Sequence, residues 1–359
     1  MLKKLIVSLS IFSCAMFSMA QEISVSKSLN EDNGYFNHLD VSASIGSPGI
    51  GIDVSAPVGE YVKLRAGMTY MPRFEMSSNF RVQVGDSLER KFDQNGNRIE
   101  TKFDKLSDML KGMTGFDVDD QVAMNVKPTF YNFRFMVDVY PFQDKRWHFT
   151  AGFYAGPAEI GRGVNVAKDV PTLMAVSMYN MMFDRIHNGE DLFDLGGNLS
   201  FSLPPEVLFP IMEKLDKYGR MGVHVGNYLN DGPVLLDESG EPLEYDENGN
   251  PLLAYYKGDP YMMVPDANGM VSARAKTNRF KPYLGFGYGG AISRDGRTEL
   301  SVDAGVMFWG GKPHVYTHDG TDLVYDVEKI SGKVGRYVRY VKSFPCFPVL
   351  ELKVTRRIF

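Results

Sequence analysis

The sequence contains little cysteine and a small excess of acidic residues. Only two of its 359 residues are cysteines, Cys14 and Cys346. Cys14 lies in an N-terminal segment that we expect to be removed, which would leave one thiol and exclude an internal disulfide. The formal net charge of −5 would become −7 without Lys3 and Lys4, and this acidic balance argues against a nucleic-acid partner.

The sequence also lacks long apolar runs after residue 20 and lacks known catalytic motifs. The first absence excludes a transmembrane helix from the mature chain. We find no nucleophile elbow, zinc-protease motif or phosphate-binding loop, so we predict neither an enzyme nor a cofactor. His314, His318 and Asp319 have no supporting cluster, so we expect no metal site there. We expect His148 to be structural and Cys346 to be a packed thiol.

The first 20 residues form a predicted secretory signal. Lys3 and Lys4 precede an apolar run at 5–17, and small residues at 18 and 20 suit cleavage before residue 21. A lipoprotein signal with lipidated Cys14 is an alternative that fits less well. We therefore expect an exported chain of residues 21–359, either a periplasmic β-protein or an outer-membrane barrel.

Residues 280–290 and 299–309 show the pattern around which the rest of the chain is interpreted. In each segment large apolar residues alternate with small or polar ones, which is the period of a β-strand. The turn-forming sequence at 293–297 lies between them, so the pair is predicted to form an antiparallel hairpin.

Eight segments follow this alternation, and their connections differ in length. The candidate strands are 38–46, 49–57, 61–73, 124–140, 146–157, 279–292, 297–310 and 347–359. Short connections at 57–60, 142–146 and 293–297 fall on one side, and long segments at 74–123, 158–278 and 311–346 fall on the other. This sorting predicts an all-β fold, an eight-stranded antiparallel transmembrane up-and-down β-barrel with long, partly helical extracellular loops.

The two faces of the predicted strands differ in chemistry. One face is apolar, for example at Ile50, Ile52 and Val54 of the second strand. A lipocalin-like soluble barrel would use the same pattern with the faces exchanged. Aromatic residues near strand ends suit membrane-interface girdles and favour the membrane version, at Tyr140, Phe142, Trp147, Phe308 and Trp309.

The opposite face collects charged residues of both signs, which we assign to the barrel lumen. The candidate charge network contains Asp53, Lys63, Arg65, Arg134, Asp138, Lys281 and Asp303, with Asp40 and Lys353 on the same face. An eight-stranded barrel has room for little more than side chains, which favours a lumen closed by ion pairs. Glycines on this face, such as Gly285, Gly287 and Gly305, keep a narrow polar path open as an alternative.

The long segments contain helical patterns and repeated turn sequences. Helices are predicted at Val170–His187, at 206–218 and at 104–112. The first has a Met-rich stripe, which predicts core packing, with a flexible binding face as the alternative. The stripe consists of Leu173, Val176, Met178, Met181 and Met182. Four Asp-x-Asn/Ser-Gly sequences, at 93–96, 237–240, 246–249 and 266–269, are interpreted as turns rather than calcium loops, and as hairpins that extend the barrel strands.

Several glycine-rich strands resemble those of a known family. Residues 47–55, 62–67, 137–142, 281–289 and 303–313 are similar to segments of small Gram-negative outer-membrane β-barrel proteins, the OmpA/OmpW-like porin-type barrels. The resemblance implies an outer-membrane location and a barrel fold, and it implies no substrate or active site.

The C-terminus departs from the family pattern. Such chains usually end in Phe with apolar residues at the alternate positions before it, which the barrel-assembly machinery is thought to recognise. Phe359 is present, but Arg357, Thr355 and Lys353 share its face. Three features would each explain the difference between this C-terminus and the family pattern: a bulge, a switch of face near Thr355, or a strand that ends before the terminus.

We therefore predict a monomeric outer-membrane protein with a closed or nearly closed lumen. Its role would be structural, or would lie in contact of the 158–278 insertion with a surface partner, lipid or solute. The alternative is a narrow channel or transporter for a small solute. Expected partners are outer-membrane lipid, the barrel-assembly machinery and an unidentified extracellular ligand.

Overall fold

A computed structural model describes residues 36–85, 89–187, 193–194, 200–201, 206, 213, 215, 217–237, 239–266, 268–330, 332–343 and 345–358. The predicted signal peptide, with Cys14, lies outside these residues, as do Phe359 and most of the candidate helix at 206–218. Among the helices of the described part, none is both long and apolar enough to cross a bilayer.

The described residues form eighteen strands and three α-helices. The strands are β1 (Asp40–Gly46), β2 (Gly49–Pro57), β3 (Val62–Tyr70), β4 (Met76–Val84), β5 (Gln121–Pro128), β6 (Tyr131–Val139), β7 (Trp147–Ala155), β8 (Glu159–Asn165), β9 (Phe193–Asp194), β10 (Ser200–Phe201), β11 (Met221–Tyr228), β12 (Pro260–Met263), β13 (Ser272–Lys276), β14 (Phe280–Ala291), β15 (Thr298–Phe308), β16 (His314–Thr317), β17 (Val327–Glu328) and β18 (Cys346–Arg357). The helices are α1 (Lys102–Thr114), α2 (Val170–His187) and α3 (Gly332–Ser343).

Eight strands close into an antiparallel barrel in the order β1-β18-β15-β14-β7-β6-β3-β2. Each barrel strand pairs with the barrel strand that precedes or follows it along the chain, and β1 closes the ring on β18. The predicted eight-stranded up-and-down barrel is therefore confirmed. We call the end with the connections at 58–61, 140–146 and 292–297 the turn end, and the opposite end the loop end.

The barrel wall has an apolar outer face and a charged inner face. On β6, Phe133 is 59% exposed while the adjacent Arg134 is 2% exposed. Exposed apolar side chains come from all eight strands, and include Ile45, Ile50, Val54, Met68, Phe135, Phe149, Leu284, Phe286, Val302, Leu350, Leu352 and Val354. The lipocalin-like arrangement, with charges outward, is thus contradicted.

A second sheet continues the barrel wall beyond the loop end. Its order is β12-β11-β4-β5-β8-β13-β16, and β17 pairs with β11. Five of these strands continue barrel strands across breaks of two to five residues, and they keep the barrel's order of neighbours. The long segments therefore contain helices, as predicted, and also these strands, which were not predicted.

The predicted strand at 124–140 is interrupted. It forms β5 and β6 with a break at Thr129 and Phe130. Pro128 ends β5 because it has no backbone N–H for the sheet, and Phe130 turns its ring into the interior. The break separates the barrel wall from its continuation.

The helices pack against the second sheet. Helix α2 has the predicted bounds, and Leu173, Val176 and Met182 lie in a core shared with Leu106 and Leu110 of α1. Met181, which we expected in the same stripe, is exposed. Helix α3 was not predicted from the sequence.

The Asp-x-Asn/Ser-Gly sequences form turns, as predicted. In the turn at 93–96, the Asp93 carboxylate accepts hydrogen bonds from the backbone N–H groups of Asn95 and Asn97, both at 2.8 Å. Gly96 has a φ of 83°, in the left-handed region that favours glycine. These turns do not extend the barrel wall, which β4, β5, β8, β13 and β16 continue instead.

The last barrel strand needs no bulge. β18 pairs with β15 in unbroken register from Cys346 to Arg356 and ends at Arg357. Its inner face therefore carries Glu351, Lys353 and Thr355 throughout. Of the three alternatives, the strand that ends early is the one observed.

Candidate functional site: the barrel lumen

An arginine clamp crosses the middle of the lumen. The Arg134 guanidinium donates to both carboxylate oxygens of Asp53 at 2.6 Å and to both of Glu351 at 2.7 and 2.8 Å. It also donates to the Ser44 hydroxyl at 3.0 Å. These groups come from β6, β2, β18 and β1, so one side chain joins strands on opposite sides of the point where the barrel closes.

A second cluster lies on the turn-end side of the clamp. Arg65 donates to Asp138 at 3.0 Å and lies 3.6 Å from Asp303. Lys353 donates to Asp303 at 2.7 Å, and the His148 imidazole lies 3.3 Å from the same carboxylate. All five side chains are almost fully buried. Each charged group lies beside a group of opposite charge, which offsets the cost of removing it from water.

The remaining two predicted lumen residues lie apart from these clusters. Lys63 donates to Asp40 at 2.8 Å near the turn end. Lys281, towards the loop end, is fully buried and donates to the side-chain oxygen of Asn132 at 3.2 Å, with its ammonium 5.6 Å from the Phe130 ring. Arg65 also lies 4.0 Å from Asp53, so the clamp and the second cluster are connected. Five of the seven predicted residues therefore form one network, and Lys63 and Lys281 lie outside it.

Aromatic and sulfur-containing side chains fill the loop end of the lumen. The buried cluster contains Phe130, Met136, Tyr154, Tyr283, Met307, Trp309 and Val349. We call it the plug. The Tyr283 ring lies against Gly285 and Gly305, where any side chain would overlap its hydroxyl. The sequence allowed these two glycines to line a narrow polar path. In the structure they make room for an aromatic ring instead.

Two residues expected in interfacial girdles face inward. Trp309 belongs to the plug, at 6.1 Å between ring centroids from Phe130 and 5.5 Å from Phe347. Tyr140 lines the turn-end cavity, and its ring lies 5.2 Å from the His148 ring at an interplanar angle of 37°. The girdle assignment was wrong for these two residues because each follows its strand onto the inner face. Trp147 lies on the outer face beside Tyr288.

A cavity of about 240 Å³ opens at the turn end. Its lining includes Lys63, Arg65, His148, Lys353 and Glu299. The Arg65 cluster forms its floor, and the clamp and the plug lie beyond. The lumen thus opens as a polar cup at the turn end, and the clamp and the plug occupy the interior beyond it.

Glu351, which completes the clamp, was not among the predicted lumen residues. It is two residues from Lys353, which was assigned to the lumen, so the alternation of β18 would have found it. Which charges pair with which could not be found in this way, because Arg134 and Glu351 are 217 residues apart.

The other residues considered for chemistry have structural surroundings. His314 lies 2.6 Å from the Asp322 carboxylate, and the His318 ring contacts the Val264 carbonyl oxygen at 2.8 Å. Cys346 is a half-buried free thiol. Within the described ranges, no group of three or more His, Cys, Asp or Glu side chains is arranged to hold a metal ion.

These features define the class of the fold as a closed eight-stranded β-barrel with an apolar exterior and a charged interior. No protein-family model matches the sequence, and no curated protein matches it.

The solved structures with some similarity include two CarO proteins and a major outer membrane protein. CarO2 of Acinetobacter baumannii is 12% identical with a TM-score of 0.34, over 89% of this chain and 98% of that one. CarO of the same organism is 10% identical with a TM-score of 0.34, over 89% and 97%. The major outer membrane protein from Thermus thermophilus is 10% identical with a TM-score of 0.26, over 89% and 98%. Similarity at this level has no bearing on the function of this chain.

Proposed function

We propose that this protein is an outer-membrane β-barrel with a closed lumen, whose folded extracellular part acts in a structural or surface-interaction role. The observation that carries the proposal is the apolar exterior, to which all eight strands contribute. Apolar surface costs about 25 cal/mol per Å² in water, so a belt of this extent favours cover by acyl chains. The charged side chains face inward, so they would be kept away from the acyl chains.

The lengths of the connections support one orientation in the membrane. Outer-membrane barrels have short periplasmic turns and long extracellular segments. The turn end would then face the periplasm, and the second sheet with its helices would lie outside the cell. The predicted signal peptide agrees with export. The ring is closed and leaves no free sheet edge, which is compatible with a monomer that contacts lipid and, during biogenesis, the barrel-assembly machinery.

A surface-interaction role is supported by the size and surface of the extracellular part. It has a hydrophobic core of its own, built around α1, α2 and the second sheet. The hairpins at 231–257 expose Leu236, Leu243 and Tyr245, apolar side chains that a partner could cover. We include no catalytic activity, cofactor or metal in the proposal.

Conductance across a planar bilayer tests the closed lumen. Because the clamp and the plug fill the interior, we expect the purified protein to show no discrete openings. Discrete openings that disappear in Arg65→Ala or Arg134→Ala would contradict this and would favour the alternative, a narrow channel for a small solute.

A further inference from the structure

Helix α3 concentrates positive charge in an otherwise acidic chain. Its sequence supplies Lys333, Arg336, Arg339 and Lys342. The chain has no Asp or Glu from residue 329 to residue 350, although its overall net charge is −5. The positive charge is therefore a local property of this helix and not of the surface as a whole.

The helix is amphipathic, and its outer face combines cations with aromatic rings. Val338 is buried in the extracellular core, and Val334 packs against that core. Arg336 and Arg339 are exposed on the other side and lie one turn apart, beside Tyr337. Neither arginine forms an ion pair with any residue that the structure describes. Both guanidinium groups are therefore free to bind an anion.

The position of α3 places this face at the barrel rim. The helix ends at Ser343, and β18 of the barrel begins at Cys346. Near its middle, the Tyr337 hydroxyl donates to the sulfur of Met76 at 3.9 Å, at the start of β4. Helix α3 thus runs between strands on either side of the β1–β2 hairpin.

The β1–β2 hairpin is the lowest part of the wall at the loop end. Only two residues connect its strands, and the Ser47 N–H donates to the Leu350 carbonyl oxygen, four residues inside the outer end of β18. In this sector α3 is the first extracellular element above the apolar belt. It therefore lies at the height where lipid headgroups would meet the barrel.

We propose that the exposed face of α3 binds the phosphate groups of anionic lipid headgroups in the outer leaflet. This inference rests on the proposed function, because it requires the barrel to lie in a bilayer. Guanidinium groups bind phosphate oxygens in pairs, and tyrosines favour the membrane interface. Basic amphipathic helices next to a membrane-spanning segment attract anionic lipid for the same reasons.

Lipid retention by the full-length protein in detergent tests this site. The folded protein is offered equal amounts of phosphatidylglycerol and phosphatidylcholine, and native mass spectrometry counts the lipids retained. We expect a preference for phosphatidylglycerol that falls by about thirtyfold in Arg336→Gln/Arg339→Gln, since each of the two cations contributes a factor of about five. The matched control is Arg294→Gln/Arg297→Gln, which removes two exposed arginines at the turn end and should keep the preference.

Each other outcome has a distinct meaning. Equal preference in both double variants, with both still migrating differently before and after boiling, would overturn the α3 site and leave the barrel proposal intact. If inorganic phosphate at the same concentration as lipid displaces the bound phosphatidylglycerol, the site binds free phosphate, and the assignment to lipid headgroups is wrong. A wild-type protein that neither shifts on boiling nor enters vesicles would contradict the proposed function itself.

Discussion

At the scale of single residues, the Arg134 clamp is the most constrained part of the lumen. Asp53 and Glu351 are both almost fully buried, and the same guanidinium bonds both carboxylates. Buried carboxylates are stable only when paired, because removal from water costs several kcal/mol for each ion. The guanidinium therefore joins β6 to β2 and β18, the two strands that flank β1.

Removal of this side chain should weaken the barrel strongly. We expect Arg134→Ala to lower the free energy of unfolding in lipid vesicles by about 3–5 kcal/mol. It leaves Glu351 buried without its ion-pair partner, and it leaves Asp53 with only the 4.0 Å contact to Arg65. Urea titration followed by the gel shift of the folded band measures this. Arg294→Ala, at an exposed position in the 292–297 connection, is the control and should change stability by less than about 0.5 kcal/mol. Equal effects of the two variants would contradict a structural role for the clamp.

A glycine in the lumen makes room for the plug. Because a side chain at Gly305 would overlap the Tyr283 hydroxyl and the Leu284 carbonyl oxygen, we expect Gly305→Val to destabilise the barrel by about 1–3 kcal/mol. Gly290→Val is the matched control, since no atom lies within 4 Å of a Cβ built there. The urea midpoint of the folded band compares the two, and an unchanged midpoint for Gly305→Val would argue against a packed plug.

Alternation along the strands was sufficient to assign residues to a face, but not to identify their partners. It placed Asp53, Arg65, Arg134, Asp138 and Asp303 inside the barrel from sequence alone. Their pairing depends on how eight strands are staggered around a ring, and each contact joins residues distant in the chain. Trp309 and Tyr140 show the same limit, because an aromatic residue at a strand end suits either a girdle or a plug.

At the scale of elements, the barrel strands were predictable and their continuation was not. Barrel strands are seven to twelve residues long, and one face of each is apolar, so their period is clear. Several strands of the second sheet are shorter, and the strand Met221–Tyr228 is buried on both faces along most of its length. Such a run has no alternation to detect, so it was not separated from a loop.

The helices also differed in how well the sequence predicted them. Helix α2 has many apolar residues and its predicted bounds were correct. Helix α3 has valines as its inner stripe, two glycines and many cations, and both valine and glycine have low helix propensity. Its apolar stripe becomes helical through packing on the core that it shares with α1, α2 and the second sheet, which the sequence does not show.

Two leucines with equal exposure distinguish lipid from water around the wall. Leu284 on β14 and Leu243 in the 231–257 hairpins are both 58% exposed. We expect Leu284→Lys to destabilise the folded barrel by about 2–4 kcal/mol, because a lysine near the middle of the bilayer is costly. Leu243→Lys should cost less than about 0.5 kcal/mol. Urea titration in vesicles measures both, and equal small effects would mean that water covers Leu284.

At the scale of the whole molecule, the same order of neighbouring strands continues from the barrel into the second sheet, but the chemistry of the two parts differs. Below the breaks at 71–75, 129–130, 156–158, 277–279 and 309–313, the wall is apolar outside and charged inside. Above them the sheet is open, and helices α1 and α2 cover an apolar core. This change of chemistry at one level is what the surface of a bilayer would require of a barrel with an extracellular part.

The chain contains two tryptophans, and they lie on opposite sides of the wall. Trp147 is 43% exposed on the outer face, and Trp309 is 7% exposed in the plug. Each can be observed alone in the variants Trp309→Phe and Trp147→Phe. Quenching by brominated acyl chains in vesicles then reports directly which of them touches lipid.

We predict that brominated lipid quenches Trp147 strongly and Trp309 weakly in the folded, reconstituted protein. Weak quenching of both, or stronger quenching of Trp309 than of Trp147, would contradict the central claim that the apolar face of the barrel lies against the bilayer.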